Sequence, residues 1–221
     1  MAKEQMTPMM TQYLKTKEEY EDCILFYRLG DFYEMFFDDA LTASKVLEIT
    51  LTGRDCGQPE RAPMCGVPYH ACDVYLNKLI ENGFKVAICE QVEDPKLAKG
   101  IVKREVIRVV TPGTNMSNAI LDETRNNYLM SIFENDGAFG ISLVDITTGE
   151  FKTARVPSLS KLTDEINKYS PAEIIGNHSF MNCDLDFVYL REKMKISISE
   201  APEHYFNQML CEDAIMRQFG V

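Results

Sequence analysis

Residues 24–36 read Ile24-Leu25-Phe26-Tyr27-Arg28-Leu29-Gly30-Asp31-Phe32-Tyr33-Glu34-Met35-Phe36, and this stretch decides the fold around it. Ile24 to Leu29 is an apolar run of strand length, and Phe32 to Phe36 has the aromatic composition of a return strand. Between them, Gly30-Asp31 fits a two-residue hairpin turn in which glycine supplies a positive φ. Side chains alternate along a strand, so Phe32 and Glu34 share one face while Tyr33 and Met35 share the other, toward a core. Two strand rises separate Phe32 from Glu34 by roughly 6–7 Å. The residues alone leave two readings open. In one, Phe32 belongs to the core, as strand aromatics usually do, and Glu34 is a solvated charge. In the other, a flat apolar wedge stands beside a carboxylate on an exposed surface.

Working outward, Thr7-Pro8 supplies an N-cap hydroxyl and a first-turn proline for a helix whose Met9, Met10, Tyr13 and Leu14 share a face. On the other side, Asp38 and Asp39 sit where acids favour a helix N-terminus. Phe36, Ala40, Ala43 and Leu47 follow at helical spacing. Glu48 to Thr52 reads as a short strand. Gly53 to His70 carries Gly53, Gly57, Pro59, Pro63, Gly66 and Pro68 and reads as a long loop, of the kind that often has a function. Val74, Leu76, Leu79 and Ile80 predict a helix that Gly83 ends. Phe84–Gln91 and Val102–Val110 read as strands, and strands alternating with helices imply an α/β domain.

Thr111-Pro112-Gly113-Thr114-Asn115 is the expected boundary, dividing the chain into residues 1–115 and 116–221. Beyond it, Tyr128–Phe133, Gly140–Ile146 and Glu150–Val156 are three strands joined by turns at Asn135-Asp136-Gly137 and Thr148-Gly149, an antiparallel meander. Leu159, Leu162 and Ile166 mark a helix, and Glu173–Ile175 a further strand. A meander followed by a helix and a strand is how ribonuclease-H-like folds begin. No closing elements are legible before Val221, so this second domain is expected to be truncated.

The chain has 221 residues, 45% hydrophobic and 26% charged, enough to bury a real core. It has no apolar run of membrane-spanning length and no secretory pattern at Met1–Gln12, so a cytoplasmic location is expected. Seven cysteines without a Cys-x-x-Cys pair read as reduced thiols, several of them in core strands. A net charge of −11 argues against a surface devoted to nucleic acid. The charge is unevenly spread, with 14 basic and 18 acidic residues up to position 115 and 9 and 16 after it. A local DNA face is therefore permitted in the first half.

Phe26-Tyr27-Arg28-Leu29-Gly30-Asp31-Phe32-Tyr33-Glu34 resembles the signature of the N-terminal domain of the MutS family of DNA mismatch repair proteins. Further blocks follow in order: Asp38-Asp39-Ala40, Leu51-Thr52-Gly53-Arg54, Pro63-Met64-Cys65-Gly66-Val67-Pro68-Tyr69-His70-Ala71, Val86-Ala87-Ile88-Cys89-Glu90-Gln91 and Val109-Val110-Thr111-Pro112-Gly113-Thr114. Together they span nearly all of residues 7–115. Residues 116–221 resemble the start of the family's connector domain, mainly through Asp145-Ile146-Thr147-Thr148-Gly149-Glu150-Phe151.

The resemblance implies a mixed-sheet mismatch-recognition domain with flanking helices, then a partial connector. It implies that Phe32 enters the minor groove and stacks on a mispaired base while Glu34 hydrogen-bonds that base. The chemistry is coherent. The minor groove carries a degenerate sequence code, which suits a reader that must ignore sequence. A wedge that unstacks a step costs about a few kcal/mol, and a mispaired step has less to lose. Glu34 can accept a base N–H, or take up a proton and donate to a ring nitrogen. Leu29, at the hairpin tip where many members have Met, is placed to pack in the groove beside Phe32, with Asp31 in the turn; Arg54 and Met64 match positions that approach DNA in relatives, and Arg54 reads equally as an exposed loop cation. Lys96, Lys99, Lys103 and Arg104 form a basic run, either a solvated face or a phosphate contact.

The resemblance also implies mismatched double-stranded DNA as partner, a homodimer formed through further domains, and a MutL-type repair partner. No phosphate-binding loop of the Gly-x-x-x-x-Gly-Lys-Ser/Thr kind occurs in the chain, so ATP and Mg are expected only in a C-terminal ATPase domain outside it, and the chain itself is expected not to be an enzyme. Two rivals remain. One is a family member acting outside mismatch repair, against which the intact Phe32-Tyr33-Glu34 weighs. The other is a ribonuclease-H-like metal-dependent nuclease using Asp145, for which no converging set of carboxylates is identifiable; the following Thr147-Thr148-Gly149 makes Asp145 a local turn acceptor instead. Cys56, Cys65, His70 and Cys72 lack zinc-site spacing, no metal site is expected, and Cys65 with His70 lacks a third orienting group for nucleophilic catalysis.

Overall fold

The computed structural model describes residues 6–93, 100–115 and 126–220. The chain divides between Thr111 and Pro112 into two compact units. The first begins with helix α1 (Pro8–Glu19), where the Thr7 side chain accepts a hydrogen bond from Met10 N and Pro8 opens the first turn. Strands β1 (Cys23–Leu29) and β2 (Phe32–Phe36) form the hairpin, followed by helix α2 (Phe37–Leu47), strands β3 (Thr52–Arg54) and β4 (Ala62–Pro68), helix α3 (Cys72–Glu81), and strands β5 (Lys85–Gln91) and β6 (Arg104–Val110). The six strands make one mixed sheet in the order β3-β4-β2-β1-β5-β6, in which only β1 and β5 pair in parallel.

Strand alternation gives this sheet two apolar faces. Phe26, Tyr33, Met35, Cys65, Val67, Val86 and Ile88 pack under Ala40, Ala43 and Leu47 of α2 and Leu76, Leu79 and Ile80 of α3. Leu25, Tyr27, Phe36, Ala87 and Cys89 pack under Met10 and Tyr13 of α1. Burying each large apolar side chain contributes about 1.5–3 kcal/mol, and here the strands carry such residues on both sides. One charge is drawn into this core. Asp39, in the first turn of α2, is buried, accepts from Leu25 N at 2.9 Å and from the Tyr13 hydroxyl at 3.3 Å, and pairs with Lys17 Nζ at 3.0 Å. It ties α1, β1 and α2 together, a role its position at a helix start does not disclose. Burial, then the neighbouring Asp39 carboxylate, pushes the Tyr13 hydroxyl well up from its ordinary value, so it remains a donor.

Three expectations for this unit need correction. Of the short strand expected at Glu48–Thr52, Glu48 is instead the C-cap of α2, with a left-handed φ of 58°, residues 49–51 are irregular, and the strand begins only at Thr52. The long loop expected over Gly53–His70 contains the β3–β4 hairpin. Its glycines and prolines are accommodated because Gly53 lies on the short edge strand β3, Pro63 lies beyond the last β2–β4 pair at Phe36–Met64, and Pro68 closes β4, where lost N–H donors cost least. Val74 does not face the core; it is 72% exposed, and the buried face of α3 is Leu76, Leu79 and Ile80.

The second unit is built on strands β7 (Tyr128–Asn135), β8 (Ala138–Asp145) and β9 (Glu150–Val156), helix α4 (Leu159–Tyr169), strand β10 (Glu173–Gly176), helices α5 (His178–Met181) and α6 (Phe187–Glu192), strand β11 (Ser197–Glu200) and helix α7 (Gln208–Phe219). The sheet order is β11-β10-β7-β8-β9, with β7, β8 and β9 antiparallel and β10 parallel to both β7 and β11. A meander whose first strand then receives parallel strands is the ribonuclease-H-like arrangement. Sequence reading assigned nothing beyond Ile175; the structure adds β11, whose Ser197-Ile198-Ser199-Glu200 is too short and polar to announce itself.

Gly113 shows why the Thr111–Asn115 stretch contains a glycine. It lies in a 3-10 turn, Pro112–Thr114, and its N–H donates to Glu173 Oε2 at 3.1 Å. A Cβ there would meet Glu173 Cβ at 2.9 Å and Leu129 Cβ at 3.0 Å. Gly113→Ala is therefore expected to destabilise the second unit by about 1–3 kcal/mol through overpacking. Urea unfolding followed by circular dichroism would read this as an earlier midpoint, and an unchanged midpoint would show that the turn relaxes freely.

Candidate nucleic-acid interface

The tight β1–β2 turn is what presents the candidate residues. Gly30 has φ +60° while Asp31 stays negative, the pattern of a two-residue turn with glycine at its first central position. Leu29 then pairs with Phe32, Arg28 with Tyr33 and Tyr27 with Glu34. Tyr33 and Met35 are buried toward α2 and α3, which forces Phe32 and Glu34 to the other face. That face is covered by α1 only as far as Phe36 and Tyr27, so Phe32, at the tip, is left 46% exposed.

The remaining candidates gather on the same side. β4 lies beside β2, pairing Phe32 with Pro68, Glu34 with Gly66 and Phe36 with Met64. β3 lies beside β4, pairing Arg54 with Ala62. Cross-strand partners share a face, so Leu29, Phe32, Glu34, Met64 and Arg54 belong to one surface. Leu29 and Met64 are half-buried against the α1 core, and Asp31 is exposed in the turn, its carbonyl accepting from Tyr69 N at 2.9 Å. The Arg54 guanidinium forms an ion pair with the Glu34 carboxylate; the Glu34 side chain is 16% exposed and that of Arg54 39%. On the β4 side the residue opposite Glu34 is Gly66, which has no side chain. A Cβ on Gly66 would stand 3.2 Å from Tyr33 O and 3.4 Å from Glu34 Cγ, so glycine leaves Glu34 its position.

The basic run behaves differently from the wedge residues. Lys96 and Lys99 lie outside the described residues. Lys103 pairs with Glu105 at the surface. Arg104 is turned inward: its Nε donates to Arg28 O at 2.7 Å, its Nη1 to Gln12 Oε1 at 3.1 Å and Val102 O at 3.0 Å, and its guanidinium carbon lies 5.1 Å from the centre of the Tyr27 ring. It braces the hairpin through Nε and Nη1.

The other constellations resolve by position. Cys56 lies in the α1 core and Cys65 in the α2–α3 core, on opposite faces of the sheet, so they cannot share a metal. Burial, then Asp39, pushes the Cys65 thiol up to about 11, which keeps it protonated and a poor nucleophile. Asp145 is fully buried; its Oδ1 accepts from Thr147 N (2.9 Å), Thr147 Oγ1 (2.6 Å) and Thr148 N (3.4 Å) of the turn, and its Oδ2 accepts from Asn127 N (3.1 Å), so both carboxylate oxygens are engaged. Among the described residues, no helix is long and apolar enough to cross a membrane.

Sequence reasoning missed Gly66, Arg28, Tyr69 and Glu90 as neighbours of the wedge. The Arg28–Tyr33 pairing could have been found, since it follows from a two-residue turn. Glu90 could not, because its place depends on the β1–β5 register.

Comparison with known proteins bears on the family of the chain. Residues 7–119 match the family described as MutS domain I, and residues 127–213 match MutS domain II. A DNA mismatch repair protein MutS of Lachnoclostridium phytofermentans is 60% identical over 217 residues, covering 98% of this chain and 23% of that protein. One of Acetivibrio thermocellus is 57% identical over 206 residues, covering 92% of this chain and 24% of that protein. The chain thus spans about a quarter of the length of the curated relatives it matches.

Proposed function

The chain belongs to the MutS family of DNA mismatch repair proteins, and from that membership we propose that its first unit recognises mispaired or unpaired bases in double-stranded DNA, with Phe32 as the wedge and Glu34 as its polar companion. The observation that carries the reading is the exposed Phe32 ring at the tip of a hairpin whose alternate residues, Tyr33 and Met35, are locked into the core. A phenyl ring on a rigid mount can enter the minor groove and stack where a weakened step opens. The cost of unstacking, about a few kcal/mol, is smallest at a mispair. Selectivity then arises from deformability, without reading sequence.

Glu34 would be repelled by phosphates if it stood alone. The Arg54 guanidinium neutralises it in the free protein and leaves an acceptor able to turn toward a base N–H. Leu29 and Met64 would line the groove beside the ring, with Asp31 at the turn. We further propose that residues 1–115 act as the recognition domain and 116–221 as part of a connector. We assign ATP and Mg use, dimer formation and contact with a MutL-type protein to neither of these two units.

The test is the affinity for a duplex with a central mispair against the same duplex fully paired, measured by fluorescence anisotropy. Glu34→Gln is expected to raise affinity for paired duplex by removing a negative charge near phosphates, and to lower preference for the mispair, by roughly tenfold if one charge-assisted hydrogen bond is lost. Measuring both proteins across pH separates the two roles of Glu34. A preference of Glu34→Gln equal to that of the unaltered chain at every pH would remove Glu34 from the mechanism.

A further inference from the structure

We propose that Arg28 is a positioning residue for the wedge, locking the Gly30-Asp31 turn from the face opposite Phe32 so that the ring meets the duplex already held in place. This rests on the reading of Phe32 given above and adds a residue to it. Arg28 Nε donates to Gly30 O, two residues on, and so closes the turn against its own strand. The guanidinium carbon lies 3.8 Å from the centre of the Tyr69 ring and 5.7 Å from that of Tyr33. Arg28 Nη1 lies 3.5 Å from Glu90 Oε1, the same oxygen that accepts the Tyr33 hydroxyl. Tyr69 closes the loop by donating its backbone N–H to Asp31 O. The planar group is thus held by the carbonyl of the β1–β2 turn, the Tyr33 ring of β2, the Tyr69 ring of the turn after β4 and the Glu90 carboxylate of β5.

Two features separate this from an ordinary surface arginine. The Arg28 side chain is only 17% exposed, and its charge is already met by Glu90, so it is poorly placed to serve phosphate. Its contacts also converge on the tip of the hairpin, beyond the last β1–β5 pair at Tyr27–Cys89 and at the end of the β2–β4 ladder at Phe32–Pro68. Fixing that tip beforehand lowers the ordering cost on binding, and a planar fork stacked between rings does this where an ammonium cannot.

The experiment compares Arg28→Met, Arg28→Lys and Tyr69→Leu with the unaltered chain, each also combined with Phe32→Ala. Amide hydrogen exchange reads the backbone of Gly30–Phe32 and Tyr69, and anisotropy reads mispaired and paired duplex over a range of salt. All three variants are expected to speed exchange at the hairpin tip and to lower mispair preference, by about tenfold for Arg28→Met. In the Phe32→Ala background the same changes should have no further effect on preference. The slope of log affinity against log salt should stay where it is, whereas a lost phosphate contact would flatten it by about 0.9. Retained preference in both Arg28→Met and Tyr69→Leu, or a loss that persists without Phe32, would overturn the positioning role alone. An unaltered chain with no mispair preference would overturn the wedge reading and this inference with it, whatever the exchange rates show.

Discussion

Phe32→Ala is expected to remove most of the preference for mispaired over paired duplex, about 100-fold, while leaving thermal stability almost unchanged. Base–aromatic stacking is worth about 1–3 kcal/mol per base on alanine substitution, and a wedge also forfeits the kink that the intercalated ring holds open. Tenfold corresponds to about 1.4 kcal/mol, so losing both contributions reaches two decades. Stability should move little, because the ring is nearly half exposed and surface substitutions usually stay within about 0.5 kcal/mol. Leu29, Pro68 and Gly66 around it keep their backbone pairing. Paired measurement of binding and thermal melting decides the matter. A melting point lowered by many degrees with preference intact would mean the ring serves the core, and the mismatch reading would fall.

Asp145→Ala is expected to destabilise the second unit by about 3 kcal/mol. The carboxylate is fully buried and satisfies two backbone N–H groups of its own turn, the Thr147 hydroxyl and Asn127 N across the sheet end. Removing it strands several donors, each costing about 1–3 kcal/mol where water cannot reach. The same contacts set a pH dependence. Burial pushes the Asp145 carboxyl up, but the hydrogen bonds from Thr147, Asn127 and Thr148 together outweigh it and hold it below the ordinary 3.8. A folded-state value below the unfolded one means the contribution is fully present above the unfolded value and is lost as pH falls through the folded one. Acid unfolding of the second unit should therefore be shallower in the acid range for Asp145→Ala than for the unaltered chain. Parallel acid profiles would assign the acid sensitivity to other carboxylates.

The hairpin was legible because its information is local. A two-residue turn fixes register, and register fixes which side chains share a face, so the pairing of Phe32 with Glu34 on one side and Tyr33 with Met35 on the other needed no tertiary input. The three strands of the second unit were legible for the same reason, from alternation and turn residues. The β3–β4 hairpin was hidden because its glycines and prolines carry the composition of a loop, and only pairing beside β2 makes them a strand. Strand β11 was hidden because parallel pairing with β10 joins segments with no local turn between them.

By itself, then, the order of residues determined the turn, the alternation and the side of the strand on which an aromatic and an acid stand together, since these follow from backbone geometry over a few residues. Whether that side met solvent was decided only when α1 covered the sheet as far as Phe36 and stopped short of Phe32. The same holds for the partners at distance: Arg54 on Glu34, Arg104 on the Arg28 carbonyl, Glu90 beneath Tyr33 and Asp39 inside the core. Charges separated by many residues along the chain meet only where sheet register brings them, and no local pattern encodes that distance.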